Sequence, residues 1–282
     1  MLLTRDEMTY NFGDARLELE RDRELLAFIF NQFLYGEVTG IQVGHWLHHA
    51  PDFAAARFFA RQSVEELTHV VHIRRIFDIL GSEPMPPHPL MRFLATGFIG
   101  GAFEEHVALE MAQGEGFVLM VFYALIDLID EPRIRRTLEN AVKQEERHVD
   151  FGEERTRRAV TADPALARHL LGLNLVSLIA MRRFARGAIA RAADPEHPVL
   201  RQLPGFLERT TEVTEERLRR IGVLTRPLAE IGTVERAFLI ASAFGRRMVR
   251  RMIPRRRRYL TDTYLDDPFF KLPATPEEDD SG

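Results

Sequence analysis

Two short segments with the same spacing decide the fold of this chain: residues 66–69 read Glu-Leu-Thr-His, and residues 145–148 read Glu-Glu-Arg-His. Each places a glutamate three residues before a histidine, and the sequence contains no third Glu-x-x-His. Because residues three apart share one face of a helix, each pair can direct two ligands to one place. A single Glu-x-x-His arises by chance in helical proteins. The interpretation therefore depends on partner residues on neighbouring helices.

Proline and glycine divide the chain into long segments with helical periodicity, and strand-like alternation is hard to find. The short turns near Pro51 and Glu131 join antiparallel neighbours, and Gly81 is a predicted helix C-cap. The third helix is expected to be bent or broken near Gly97, Gly100 and Gly101. The four predicted helices cover approximately residues 14–49, 51–80, 90–129 and 132–160.

Counting from the turns locates one partner glutamate on each hairpin. Glu66 lies 15 residues after Pro51, and Glu37 lies 14 residues before it. Glu145 lies 14 residues after the turn at residue 131, and Glu115 lies 16 residues before it. Glu110 is five residues away, or about 140 degrees out of phase on an α-helix, and is the alternative ligand. Each hairpin thus repeats Gly-Glu followed by Glu-x-x-His, as in an internal duplication.

Six candidate ligands would meet at one depth of the helical core. Four carboxylates at one level repel one another, and a buried unpaired carboxylate costs several kcal/mol. Two divalent cations would remove this cost, and oxygen ligands with imidazole suit iron or manganese. The predicted metal ligands and catalytic residues are Glu37, Glu66, His69, Glu115, Glu145 and His148.

Residues beside these motifs are candidates for orienting the ligands. Glu65 and Gln144 immediately precede the two motif glutamates, and His72 lies one turn beyond His69. Polar groups at such positions hydrogen-bond ligand histidines in metal sites. Glycines close to the ligands, such as Gly40 and Gly152, indicate either space at the site or close helix packing.

The combination of two Glu-x-x-His motifs and two partner glutamates resembles the ferritin-like di-iron carboxylate superfamily over about residues 14–160. The segment 141–154 (Ala-Val-Lys-Gln-Glu-Glu-Arg-His-Val-Asp-Phe-Gly-Glu-Glu) is similar to the corresponding segment of cyanobacterial aldehyde-deformylating oxygenases. The resemblance implies an all-α ferritin-like four-helix bundle that holds two iron ions, with manganese or a mixed manganese–iron pair as alternatives. It also implies O2 as co-substrate.

The function expected from this resemblance is a non-haem di-iron oxygenase acting on an organic small molecule by hydroxylation, N-oxygenation, desaturation or deformylation. Glu66 and Glu145 are the expected bridging ligands. Three alternatives stay open. They are a ferroxidase or peroxidase-type di-iron protein, an RNA-modifying hydroxylase and a non-catalytic helical interaction protein.

Composition excludes several other classes. The 282 residues contain no cysteine, which excludes zinc-thiolate sites, cysteine-ligated iron–sulfur clusters and a cysteine nucleophile. Electrons for O2 chemistry would therefore come from a separate donor or reductase. The net charge of −4 gives no general attraction to nucleic acid. The longest apolar run, near residues 170–181, is short for a membrane span, so the expectation is a cytoplasmic protein without one.

The second half of the chain is predicted to add helices at about 164–193, 207–221 and 227–252, which flank the bundle core (14–160) within one domain of residues 1–260. Residues 261–282 are expected to be a partly disordered tail. Eight arginines lie between Arg246 and Arg258. We expect a solvated helix end that pairs with the acidic tail or with a second subunit in a homodimer. The alternative is a docking site for RNA, an acidic carrier protein or a membrane surface.

Overall fold

The computed structural model describes residues 1–97, 101–190, 194, 196–252 and 267–268. The described residues are helical with no β-strand, as the sequence predicts, and one isolated bridge pairs Leu17 with Ile129. The long helices are α1 (Arg23–Gly40), α2 (Phe53–Leu80), α3 (Phe103–Leu128), α4 (Pro132–Ala162), α5 (Pro164–Ala190), α6 (Pro198–Ile221) and α7 (Thr233–Met252). Shorter helical pieces are Arg5–Met8, Ile41–His49, Pro89–Arg92, Phe93–Gly97 and Leu228–Glu230.

Local capping chemistry explains the helix ends that the sequence predicts well. The carboxylate of Asp52 accepts a hydrogen bond from the backbone N–H of Ala55 at 2.7 Å, which starts α2. Gly81 ends α2 with a φ of 61°, a conformation that glycine adopts without steric cost. Proline occupies the first position of α4 and of α5, where its missing N–H costs nothing.

Two predicted helix starts are wrong, and one predicted interruption is confirmed. Helix α1 begins at Arg23 and not near residue 14, because Leu17 lies extended and donates its N–H to the carbonyl of Leu128 at 2.8 Å. The helix predicted from residue 90 to 129 is interrupted between Gly97 and Phe103, as expected from its glycines, and α3 starts at Phe103. Helix α6 begins at Pro198 and not near residue 207, since it continues through Pro204. The predicted ends at residues 191–193 and the tail lie outside the described residues, except for 267–268.

Helices α1 and α2 form one antiparallel hairpin, and α3 and α4 form another. On the first hairpin, Glu37 contacts His69, and Gly40 faces Glu66, so residue numbers rise on one helix as they fall on the other. Helix α2 also runs antiparallel to α4. Asp52 pairs with Arg155, and the rings of Phe58 and Phe151 stack at 3.9 Å.

Within α3, the segment Val107–Glu115 is a π-helix, and two distant residues make room for it. A Cβ on Gly152 would lie 2.6 Å from the amide nitrogen of Ala112, so only glycine lets α4 approach this segment. The fully buried guanidinium of Arg217 donates to the carbonyl of Ala112 and pairs with Glu153 at 2.7 Å. Helix α6 thereby binds the turn of α3 that precedes Glu115.

Helices α5 and α7 pack on each other, and a buried carboxylate joins them to α3. Glu105, 1% exposed, contacts His169 at 2.7 Å, Arg247 at 3.0 Å and Arg250 at 3.1 Å. We name these four residues the Glu105 cluster. Two arginines that the sequence assigns to a solvated helix end therefore turn inward. Residues 253–258 and the side chain of Arg251 lie outside the described part.

Within the described part of the chain, two helices are long and apolar enough to cross a membrane by length and composition, namely Phe103–Leu128 and Pro164–Gly187. In their most apolar parts, 67% of the first and 50% of the second are buried inside the protein. Such burial is typical of core helices and is compatible with a soluble protein.

Candidate metal centre

The six candidate ligands of the two Glu-x-x-His hairpins come together between α1, α2, α3 and α4. We name them the metal group: Glu37, Glu66, His69, Glu115, Glu145 and His148. Five are buried, with 0% to 6% of their surface exposed, and Glu115 is partly exposed. Their ligand atoms form two overlapping sets, one of Glu37, Glu66, His69 and Glu145 and one of Glu66, Glu115 and His148, each within 4.8 Å.

The first set centres on Nδ1 of His69. This atom lies 3.0 Å from Oε2 of Glu37, 3.1 Å from Oε1 of Glu145 and 3.9 Å from Oε2 of Glu66. Two donors about 3 Å apart that each bind a metal at ~2.1 Å subtend about 90° at that metal. The closest three atoms of this set therefore have the separations of neighbouring ligands.

The second set centres on Nδ1 of His148. The atom lies 3.5 Å from Oε2 of Glu145, 3.6 Å from Oε1 of Glu66 and 3.8 Å from Oε2 of Glu115. Glu66 and Glu145 thus each offer one oxygen to the His69 side and the other to the His148 side. Both carboxylates therefore lie between the two histidines, where they could be shared by two ions.

The outer nitrogens of both histidines are held by residues that flank the motifs. Nε2 of His69 lies 2.6 Å from Oε1 of Gln144, and Nε2 of His148 lies 2.8 Å from Oε2 of Glu65. These contacts turn both Nδ1 atoms toward the carboxylates. His72 makes no such contact: it lies outside both sets, and burial and the charges of His69 and Arg75 lower its pKa.

Glu110 lies outside both ligand sets. Its angular position around the helix nevertheless differs from the one predicted with an α-helical period. The α-helical spacing puts Glu110 on another face from Glu115, but this segment is a π-helix with i→i+5 hydrogen bonds. Residues five apart are then about one turn apart on a similar face. Glu110 contacts His106 at 2.8 Å instead of joining the metal group.

Gln62 is a functional candidate that the sequence interpretation missed. Its amide nitrogen donates to Oε1 of Glu115 at 2.8 Å and lies 3.3 Å from Oε1 of Glu66. The available signal was its position one turn before Glu66 on the same helix. Gly40 also serves the site, because a Cβ there would lie 2.5 Å from Oε2 of Glu66.

The electrostatics of the metal group show an excess of negative charge. Burial and the charges of Glu37 and Glu145 raise the pKa of Glu66 well above its usual value. Burial and the charges of Glu145, Glu66, Glu110 and Glu37 do the same to the pKa of Glu115. Without a cation, burial and mutual repulsion therefore favour the protonated forms of these two carboxyl groups.

The pKa values of the two histidines are raised as well, which favours their charged forms. Burial opposes this rise, but contacts with Glu145 and Glu37 raise the pKa of His69 to about 11. The pKa of His148 is also raised, against burial, by Glu145 and Glu65. Correspondingly, His148 and His69 lower the pKa of Glu145 to about 2, although burial opposes this. Protons on the imidazoles occupy the place that a cation would take.

The donor set fits two divalent ions. Four carboxylates with two imidazoles would balance two cations, and Nδ1 of His148 and Oε2 of Glu115 are buried without a hydrogen-bond partner among the described residues. Large apolar clusters lie on both sides of the group. One includes Phe30, Ile73 and Phe122, and the other includes Phe59 and Met111.

Comparison with known proteins adds no relative, since no protein-family model, curated protein or solved structure matches the chain. The geometry of the metal group therefore carries the functional argument.

Proposed function

We propose that this protein is a dimetal-carboxylate oxidoreductase built on a ferritin-like four-helix core, and that it activates O2 to oxidise an organic small molecule. One observation carries the proposal. Two inward-facing histidine Nδ1 atoms share the same two glutamates, Glu66 and Glu145, each through a different oxygen. The two antiparallel hairpins α1–α2 and α3–α4 support the proposed four-helix core, because their inner faces supply all six ligands.

The metal group divides into two terminal sets. Glu37 and His69 would hold one ion, and Glu115 and His148 the other, with Glu66 and Glu145 between them. Nitrogen and oxygen donors favour iron, with manganese or a mixed pair as the alternative. When bound, redox-active ions would supply the electrons and the Lewis acidity needed to reduce O2.

Side chains around the metal group position its ligands. Gln144 and Glu65 fix the two imidazole rings, and Gln62 orients Glu115. Contacts with Arg61 and Arg147 keep Glu65 ionised, because together with His148 they lower its pKa to about 2 against the effect of burial. Apolar residues on both sides keep bulk water from the reacting centre.

The reaction class rests on the local similarity of residues 141–154 to aldehyde-deformylating oxygenases and on the missing cysteines. A chain without cysteine holds no rubredoxin-type or iron–sulfur relay, so we expect a separate electron donor. Substrate oxidation rather than iron storage is the proposed outcome.

Anaerobic loading with Fe²⁺ followed by exposure to O2 tests the proposal. We expect about two irons per chain and a transient optical band, with both lost in Glu115→Ala. The matched control is Glu104→Ala, since Glu104 is an exposed glutamate of the same helix. Fewer than one iron per chain, or an unchanged response in Glu115→Ala, would contradict it. Binding of two irons with no reaction with O2 would favour a structural metal site.

A further inference from the structure

A small cavity lies beside the metal group and has its own polar side chains. It measures about 80 Å³ and is lined by Thr39, Gln42, Val43, His45, Trp46, His106 and Glu110. Gln42 and His45 are exposed, so they mark the side that faces solvent, whereas His106 is buried with 1% of its surface exposed. Neither His106 nor Glu110 belongs to the ligand sets described above.

His106 packs between aromatic rings, and its ring nitrogens have no hydrogen-bond partner among the described residues. Its ring stacks on Trp46 at 4.7 Å with an interplanar angle of 19°, and the ring of Phe59 lies 5.6 Å away. Both ring nitrogens are buried, and neither forms a hydrogen bond with any described residue. Buried polar atoms without partners are rare in native proteins and call for a water or an ion.

Glu110 adds a second buried atom without a hydrogen bond to the same place. Its Oε2 is buried without a hydrogen bond and lies 2.8 Å from Nδ1 of His106. Two donors 2.8 Å apart that each bind an ion at ~2.1 Å subtend about 85° at that ion. These are the angles of neighbouring positions in an octahedron, so the pair has the bite of a two-point chelate.

We propose that this cavity is a third divalent-cation site, in which His106 and Glu110 hold a partly hydrated ion of the Mn²⁺ or Fe²⁺ class. One imidazole and one carboxylate suit such ions, and the cavity has room for the water molecules that complete their coordination. With only two protein donors, the site binds more weakly than the metal group. Glu110 precedes Glu115 by about one π-turn, so the ion is a neighbour of the dimetal group.

A Mn²⁺ titration of the full chain, followed by the EPR signal of the free ion, tests this site directly. We expect two tight sites and a third that is at least tenfold weaker. His106→Phe keeps the ring stacking on Trp46 and removes both nitrogens, and we expect it to lose the third ion and keep the other two. Glu110→Gln, on a partly exposed residue, is a second variant for which we expect the same result. Glu104→Gln, on an exposed glutamate of the same helix that does not line the cavity, is the control that keeps all three.

The outcomes separate this inference from the proposed function. A wild-type protein that binds only two ions would overturn the third site and leave the dimetal proposal intact. A third ion that persists in both His106→Phe and Glu110→Gln would also overturn it, because the ion would then lie elsewhere. Failure of the dimetal proposal would instead remove the two tight ions and leave the weak one sensitive to His106→Phe.

Discussion

The metal group and the Glu105 cluster both bury carboxylates with imidazoles, but their charge balance is opposite. In the metal group, four carboxylates face two histidines, and the pKa values of Glu66 and Glu115 are raised. In the Glu105 cluster, one carboxylate meets His169, Arg247 and Arg250. These contacts outweigh burial and lower the pKa of Glu105 to about 2. Buried acidic residues therefore indicate a cation site only where the protein does not supply the positive charge itself.

The largest expected effect comes from Glu66→Gln. Because burial and the charges of Glu37 and Glu145 favour the neutral form of Glu66, the neutral amide should change the unfolding free energy of the metal-free protein by less than ~1 kcal/mol. Saturating Mn²⁺ at about 1,000 times its Kd should stabilise the wild type by ~4 kcal/mol. We expect the variant to lose nearly all of this gain. Urea unfolding with and without Mn²⁺ measures both, and an undiminished gain would contradict the shared-ligand role of Glu66.

Glu105→Gln should give the reverse pattern. The change leaves Arg247, Arg250 and His169 without their carboxylate, and breaking a buried ion pair costs ~3 kcal/mol or more. The number of tightly bound metal ions should stay at two, because no residue of this cluster belongs to the metal group. Urea unfolding and metal analysis of the same preparation test the two halves. Loss of the metal ions would show that the two regions are not independent.

The Glu105 cluster should also make the unfolding free energy decrease at acid pH. In the folded protein the pKa of Glu105 is about 2, below the ordinary value of 4.5. Ionised Glu105 therefore stabilises the native state at all pH values above about 4.5. That stabilisation, of order 3 kcal/mol, should be lost as the pH falls from about 4.5 toward 2. Unfolding free energies of wild type and Glu105→Gln should converge over this range. A difference that stays constant down to pH 3 would contradict the assignment.

The smallest expected effect is a change in metal affinity from a residue that holds a ligand of the metal group. Gln144→Ala removes the group that holds Nε2 of His69 but removes no ligand. We expect the metal affinity to fall by ~10-fold to 100-fold, as for other residues that orient ligand histidines. Glu146→Ala, next to Glu145 in sequence but bonded to Tyr123, is the control and should keep the wild-type affinity. Equal affinities in all three proteins would remove Gln144 from the site.

The parts of the fold that the sequence predicts well depend on local chemistry. Caps at Asp52 and Gly81 and the proline at residue 132 define α2 and α4, which carry both Glu-x-x-His motifs. Counting from the turns then points to Glu37 and Glu115, and the structure brings both to the motifs. The register of two helices around a short turn is a local property, so it can be read from spacing.

What the sequence could not show depends on residues far apart in the chain. The π-helix of α3 packs against Gly152 and Arg217, which lie on two other helices, and an α-helical period gives the wrong phase for Glu110. The partners of Glu105 lie 64 to 145 residues away, and no spacing rule connects them. Leu17 likewise lies extended because it pairs with the end of α3.

An anomalous-scattering experiment on crystals loaded with Fe²⁺ or Mn²⁺ tests the central claim most directly. The account predicts two strong peaks, one beside Nδ1 of His69 and one beside Nδ1 of His148, each also in contact with Glu66 and Glu145. A loaded crystal with no peak among these residues, or with a single peak bound by only one of the two histidines, would contradict it.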